Sequence, residues 1–224
     1  MSAPMKAMIL AAGRGERLRP LTDETPKPLI EVGARSLIGH HLHALAAGGF
    51  EDVVINVAYR GEQIVAALGD GSAWGLRLHY SREIPGELDT GGGIRQALPL
   101  LGEAPFALIS ADVFTDYDYA RLQERHHADA HCVLVDNPEH HARGDFGLVD
   151  GRLVDRDPRL TYAGIGVFDP RRFAARDTQR FALSVVIREA LAEGRASGEH
   201  HQGEWIDVGR PSALEAARRA AERG

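Results

Sequence analysis

One segment of the sequence, from Met8 to Leu29, places small residues ahead of a series of basic side chains. It follows an apolar run that predicts a strand over Met5–Leu10. A glycine-containing turn at the end of a strand exposes backbone N–H groups that can bind phosphate oxygens. Arg17 and Lys27 add cationic donors suited to the same oxygens. This spacing predicts a loop that binds the phosphates of a nucleoside triphosphate.

Residue spacing separates this segment from two other kinds of phosphate-binding loop. The dinucleotide fingerprint G-x-G-x-x-G requires a third glycine where this chain has Leu18. It also requires an acidic residue at the end of the second strand, which here ends in Asn56, Val57 and Ala58. The P-loop signature G-x-x-x-x-G-K-[ST] is absent from the sequence. An ordinary turn with scattered surface arginines is the simplest alternative.

Strand and helix patterns alternate through the first half of the chain, as they do in βαβ units. Strands are predicted over residues 52–57, 76–81 and 106–110, and helices over residues 36–45 and 61–68. The glycines within residues 89–93 predict a turn that leads into a helix over residues 94–98. This alternation predicts an α/β fold in which a mixed, mostly parallel sheet is flanked by helices.

The pattern changes beyond about residue 136, where the predicted strands are shorter and the turns more frequent. Strands are predicted over residues 146–149, 153–155, 162–168, 196–200 and 205–208, and helices over residues 183–193 and 211–223. We expect a single domain over residues 1–224. Its nucleotide-binding half covers about residues 1–135, and a lobe for a second substrate covers about residues 136–224.

Composition limits the classes of partner. The chain has 224 residues, a formal net charge of −6 and one cysteine, Cys132, so it cannot form an internal disulfide. Its first 35 residues hold six Lys or Arg against four acidic residues. A local basic segment in an acidic chain favours a small anionic ligand and argues against nucleic-acid binding, which needs a broad basic face. The absence of a basic leader or a long apolar run predicts a cytoplasmic protein without a membrane partner.

The basic segment resembles the signature of the sugar-1-phosphate nucleotidyltransferases, L-A-A-G-x-G-x-R-x-x-P-x-T followed by P-K-P-L. The matching residues are Leu10, Ala11, Ala12, Gly13, Gly15, Arg17, Pro20, Thr22, Pro26, Lys27, Pro28 and Leu29. The resemblance implies a Rossmann-like, GT-A-like domain in which the loop from Leu10 to Gly15 binds the triphosphate. It also implies that Arg17 and Lys27 bind phosphates and act in catalysis. A second glycine-rich segment, with Thr90, Gly91 and Gly92, matches the family's loop beside the nucleobase and ribose.

Two aspartates are candidates for holding Mg²⁺. Asp112 follows the apolar strand at 106–110, where ligands of open α/β sheets gather, although a lone aspartate there is usually a turn residue. Asp207 lies within a short apolar strand, where a carboxylate needs a metal or an arginine as its partner. The family resemblance implies that Asp112 and Asp207 form the metal pair. Ala111 stands where the family usually has glycine.

Further segments resemble the family's sugar-binding regions and supply Gly144, Asp145, Tyr162 and Gly164. Glu199 is an additional candidate for sugar contact. Many relatives carry an E-K-P element whose lysine binds the sugar phosphate, and Arg156 is the candidate to replace it here. Four adjacent histidine pairs, at 40–41, 126–127, 140–141 and 200–201, raise the alternative of a zinc site, but neighbouring side chains point apart and surface histidines are favoured.

Within the family, the resemblance implies that UTP and a sugar 1-phosphate are joined to give a UDP-sugar and pyrophosphate. The segments around Asp89, Asp145 and Glu199 favour N-acetylmuramate 1-phosphate as the sugar, in peptidoglycan recycling. Guanylyl transfer to mannose 1-phosphate, or uridylyl or thymidylyl transfer to glucose 1-phosphate, is the alternative. A non-catalytic regulatory subunit and a nicotinamide-dependent enzyme are less favoured. We expect a monomer or a small homo-oligomer.

Overall fold

A computed structural model describes residues 4–125, 129–176 and 178–223. The histidine pair at 126–127 lies outside these residues. The strands are β1 (Ala7–Leu10), β2 (Glu31–Val32), β3 (Arg35–Ser36), β4 (Asp52–Val57), β5 (Arg77–Arg82), β6 (Phe106–Ser110), β7 (Val113–Thr115), β8 (Ala130–Val135), β9 (Phe146–Val149), β10 (Arg152–Val154), β11 (Arg159–Phe168), β12 (Ala196–His200) and β13 (Trp205–Asp207). The α-helices are α1 (Leu21–Glu24), α2 (Leu37–Ala47), α3 (Gly61–Leu68), α4 (Asp89–Leu101), α5 (Arg171–Ala174), α6 (Leu183–Ala192) and α7 (Pro211–Ala221).

Nine strands form one mixed sheet in the order β5-β4-β1-β6-β11-β8-β12-β10-β9. The four strands β5, β4, β1 and β6 are parallel to one another. β11 then pairs antiparallel with β6 and with β8. The parallel part therefore comes from the first half of the sequence, and most antiparallel pairs come from the second half. The predicted α/β class with a mixed sheet is confirmed.

The sheet is covered on both faces, which is why its central strands are apolar without alternation. In β1, Ala7 and Ile9 pack with α2 and α3, whereas Met8 faces the opposite side. That opposite side is covered by α4 and α6, through residues such as Ile94 and Ile187. A third, smaller apolar cluster joins α7 to the basic segment and includes Leu18, Leu37, Val208 and Leu214. Among the described helices, none is both long and apolar enough to span a membrane.

Local sequence signals set several element boundaries. Ser36 caps α2, because its hydroxyl accepts a hydrogen bond from the Gly39 N–H at 3.2 Å. Helix α3 has the predicted bounds. The glycine turn predicted over residues 89–93 is wrong, since these residues form the first turn of α4. The N–H groups of Gly91 and Gly92 both donate to the Phe181 carbonyl, which satisfies two free donors at the start of the helix.

A separate two-stranded ribbon contains one predicted metal ligand, Asp207, and directly follows the other, Asp112. β7 and β13 are antiparallel, and Asp207 pairs with Val113. The Val208 N–H also donates to the Asp112 carbonyl at 2.9 Å. The ribbon therefore brings together two aspartates that are far apart in the sequence, at the end of the central strand β6.

Candidate active site

Two adjoining cavities open at the carboxyl ends of β1 and β6. The first has a volume of about 390 Å³ and the second about 480 Å³. Four residues line both cavities: Leu10, Thr90, Ser110 and Asp112. The first cavity is bounded by the first half of the chain, and the second mainly by β9, β11, α6 and β13. Asp112 thus stands where the contents of the two cavities meet.

Lys27 points into this junction. Its side chain lies in a short turn between Pro26 and Pro28, is only 8% exposed, and lines the first cavity. Its ammonium group donates a hydrogen bond to Asp112 Oδ2 at 2.8 Å. A buried cation requires a negative partner to offset the loss of hydration. Asp112 supplies that negative partner in this structure. The Lys27 ammonium group can also pair with an anionic ligand in the cavity.

The predicted phosphate loop lies along the first cavity, which Leu10, Ala11, Ala12 and Gly13 all line. A Cβ on Gly13 would meet no atom within 4 Å, so this position is open. Gly15 lines neither cavity; its φ is +65°, and a Cβ there would come within 2.9 Å of Thr22 Cγ2. Gly15 therefore shapes the turn, since its backbone conformation and its close neighbour both favour glycine.

Arg17 lies on the other side of the junction and lines the second cavity. Its guanidinium lies against the backbone of Gly209, where a Cβ would come within 2.8 Å of Nη2. The same end of the cavity holds Asp207, which has a neighbour in His140, with Nε2 at 3.6 Å from Asp207 Oδ2. The reacting end of the site thus combines two cationic side chains with two carboxylates.

Within the described part of the chain, no three His, Cys, Asp or Glu side chains gather as a metal-binding group. A histidine-rich zinc centre is therefore not formed by the described residues. Asp112 directly precedes β7, Asp207 on β13 pairs with the next residue, Val113, and both aspartates line the second cavity. Two carboxylates that leave positions for substrate oxygens suit Mg²⁺.

Three of the predicted sugar-binding residues, Asp145, Tyr162 and Gly164, line the second cavity. Asp145 holds the cavity wall together, because its Oδ2 accepts a hydrogen bond from the Tyr162 N–H at 2.8 Å. Its Oδ1 lies 3.1 Å from His141 Nε2. Gly164 has φ of +74°, and a Cβ there would lie 2.7 Å from the Ser110 hydroxyl. A larger residue at this position would therefore disturb the junction.

The sequence model of the nucleotidyl transferase family matches residues 6–224. This chain belongs to the nucleotidyl transferase family. It is 46% identical to an N-acetylmuramate alpha-1-phosphate uridylyltransferase of Neisseria meningitidis over 97% of this chain and 98% of that protein. It is 36% identical to a protein of the same name from Caulobacter vibrioides, over 98% of both chains. A mannose-1-phosphate guanyltransferase of Aspergillus fumigatus is 33% identical, but the match covers only 61% of that longer protein.

Solved structures support the same fold. A Bacillus anthracis protein assigned as a glucose-1-phosphate thymidylyltransferase superimposes with a TM-score of 0.88, covers 97% of this chain and 95% of its own, and is 21% identical. HddC from Yersinia pseudotuberculosis, in complex with GMP-PN, gives a TM-score of 0.79 with 18% identity and covers 96% of this chain and 99% of its own. At these identities the likeness concerns the fold alone.

Two cavity residues of this nucleotidyl transferase were missed as site candidates. Asn56 is 4% exposed, and its Oδ1 accepts a hydrogen bond from the Ala11 N–H at 2.8 Å. Its amide group donates to Glu83 Oε1 at 2.7 Å. Burial raises the pKa of Glu83, an effect that the hydrogen bond from Asn56 opposes. The signal in the sequence that could have identified Asn56 is its position as an amide side chain near the end of the otherwise apolar run in β4.

The structure does not bring every predicted site residue to the cavities. Gly91 and Gly92 pack against residues 179–181 instead, and Gly144 packs against Asn137 and Arg159. Arg156 is exposed and lines neither of the two cavities. The Glu199 carboxylate is occupied outside them, where it accepts hydrogen bonds from Tyr117, Arg121 and Arg125. Their predicted substrate contacts gain no support from this geometry.

Proposed function

We propose that this nucleotidyltransferase joins UTP to N-acetylmuramate 1-phosphate and releases pyrophosphate. The observation that carries the proposal is the meeting of the two cavities at Lys27 and Asp112, as the transfer between two bound substrates requires. The choice of UTP and N-acetylmuramate rests on two relatives of that name, each matched over at least 97% of this chain.

In the proposed reaction, an oxygen of the sugar phosphate attacks the α-phosphorus of UTP, and the bond to the pyrophosphate oxygen breaks. The attacking phosphate is already ionised, so the protein's task is to position two anions and neutralise their charge. The N–H groups around Ala12 and Gly13 would bind the triphosphate, and Arg17, which lines the second cavity, would bind phosphate oxygens at the junction. Lys27 would lie between the α-phosphate and the attacking phosphate. The first cavity would hold the nucleotide and the second the sugar.

Asp112 and Asp207 would hold Mg²⁺, which when bound supplies charge neutralisation for the two anionic substrates. The backbone contact between Val208 and Asp112 and the shared lining of the second cavity support this assignment. Lys27 would keep Asp112 oriented before the substrates bind, because its ammonium group fixes Oδ2. The cytoplasmic location and the monomeric or small homo-oligomeric state stay predictions.

The proposal is tested by measuring pyrophosphate release with Mg²⁺ over a grid of substrates. UTP, TTP, GTP and CTP are each paired with the 1-phosphates of N-acetylmuramate, N-acetylglucosamine, glucose and mannose. We expect the highest kcat/KM for UTP with N-acetylmuramate 1-phosphate. A preference for GTP with mannose 1-phosphate would replace the named substrates with those of the fungal relatives. Asp207→Asn should lose most turnover while keeping its melting temperature, and unchanged kcat would contradict the metal assignment.

A further inference from the structure

Arg188 lines the part of the second cavity that is formed by α6 and β9. Its guanidinium carbon lies over the ring of Phe146, 5.5 Å from the ring centroid. A guanidinium group held over a ring still has N–H groups that do not point at the ring and can donate elsewhere. Those edges form a fork that matches the two oxygens of a carboxylate. Arg188 is therefore an exposed donor at the cavity wall, with Phe146 as its contact there.

Nearby arginines already have carboxylate partners. Arg172 pairs with Asp129 and Glu193, and Arg176 pairs with Glu189, the residue next to Arg188. Within the described part of the chain, Arg188 forms no such pair. Its only charged neighbour along α6 is thus engaged elsewhere, and its own charge is left for the contents of the cavity.

The other charged groups of this cavity have assigned partners or lie at its reacting end. Asp145 is held by the Tyr162 N–H and His141. Asp112 pairs with Lys27, and Asp207 lies beside His140. Arg17 lies against Gly209, directly after β13, whereas Arg188 comes from α6 and contacts β9. In the second cavity, Arg188 is therefore the cation on a wall other than the one that carries Asp112 and Asp207.

We propose that Arg188 binds a carboxylate carried by the sugar and so selects an acidic sugar 1-phosphate over its uncharged counterpart. This inference rests on the proposed function. N-acetylmuramate differs from N-acetylglucosamine by a lactyl ether that ends in a carboxylate. The reacting phosphate of the sugar would lie near Arg17 and Lys27. The lactyl carboxylate is a second anion on the same sugar, and it would pair with Arg188 on the other wall.

The test measures kcat/KM with UTP and two sugars, N-acetylmuramate 1-phosphate and N-acetylglucosamine 1-phosphate. Arg188→Met keeps an apolar side chain over Phe146 and removes the fork of donors. We expect kcat/KM of this variant to fall roughly 10- to 100-fold with N-acetylmuramate 1-phosphate, which is the range for one charge-assisted hydrogen-bonded contact. With N-acetylglucosamine 1-phosphate it should fall about threefold or less. Arg188→Lys should recover part of the preference, because it restores the charge without the fork.

Arg219→Gln is the matched control, since it removes one positive charge from α7 at a position that lines none of the described cavities. This control should leave kcat/KM unchanged for both sugars. Melting temperatures should show that all variants fold. An equal loss on both sugars would overturn the inference and place Arg188 on the shared 1-phosphate or in a structural role. A wild-type preference for the uncharged sugar would instead overturn the acidic-substrate proposal together with the role of Arg188.

Discussion

The Lys27 ammonium group donates a hydrogen bond to Asp112 Oδ2 at 2.8 Å, although the two residues are 85 positions apart in the sequence. The two partners differ in exposure, since Lys27 is 8% exposed and the Asp112 side chain is 42% exposed. The lysine is therefore fixed by its surroundings, while the carboxylate reaches into the junction of the two cavities. This arrangement holds a positive charge where two phosphate-bearing substrates would meet.

Replacing Lys27 by methionine should lower kcat by a factor on the order of 10² to 10³, the magnitude typical of removing one preorganised donor. Stability should change little, because the unpaired Asp112 carboxylate is accessible to water. Pyrophosphate release and thermal unfolding measure the two effects. Lys6→Met is the control, since Lys6 Nζ donates to the Leu100 carbonyl outside the two cavities. Equal kcat in the two variants would contradict the role given to Lys27.

Asn56 joins the phosphate loop to Glu83, and Asn56→Ala should raise the KM for the nucleotide. The substitution leaves the Ala11 N–H without its acceptor and Glu83 without its donor. Leaving a buried polar group without its partner costs about 1–3 kcal/mol, so the free energy of unfolding should fall as well. Steady-state kinetics with each substrate varied in turn, combined with denaturant unfolding, measure both effects.

Gln123→Ala is the matched control for Asn56, because it removes an amide that donates to the Gly48 carbonyl at 3.0 Å and lines neither cavity of the site. It should lower stability without changing the KM for the nucleotide. If Asn56→Ala lowers stability but leaves this KM unchanged, Asn56 supports the fold alone.

Contiguous sequence patterns allowed the fold and the family to be predicted, because residues 8–29 carry the family signature within one segment. The Lys27–Asp112 and Asn56–Glu83 contacts could not be predicted, since each joins separate elements that only the sheet brings together. Glu199 is a candidate from the sequence that gains no support from the structure. A short motif favoured a sugar contact, but on β12 its side chain turns towards Arg121 and Arg125, which neutralise it.

The glycines at the two glycine-rich segments should respond differently to substitution. A Cβ on Gly91 would lie 2.4 Å from ring atoms of Phe181, so Gly91→Ala should destabilise the fold by about 1–3 kcal/mol, less the roughly 1 kcal/mol gained from helix propensity. Gly13→Ala meets no atom within 4 Å and should leave stability unchanged while weakening nucleotide binding. Thermal unfolding and nucleotide titration of both variants separate these effects, and a stable Gly91→Ala protein would contradict the close contact with Phe181.

His41 should make the protein less stable in mild acid. Burial is the main cause that lowers the pKa of His41 from 6.5 to about 4, and its Nδ1 lies 2.8 Å from the Tyr119 hydroxyl. The unfolded chain binds this proton below pH 6.5, whereas the folded protein resists it until about pH 4. The contribution is therefore complete above pH 6.5 and is lost as the pH falls towards 4, by up to about 3 kcal/mol.

The His41→Gln variant isolates this contribution, because glutamine does not titrate and can still hydrogen-bond to Tyr119. The unfolding free energy of the wild type should fall relative to that of the variant as the pH falls from 6.5 to 4.5. His43→Gln is the matched control, since it removes an exposed histidine from the same helix. A difference for His41→Gln that does not depend on pH would show that His41 accepts its proton equally well in the folded and unfolded chains.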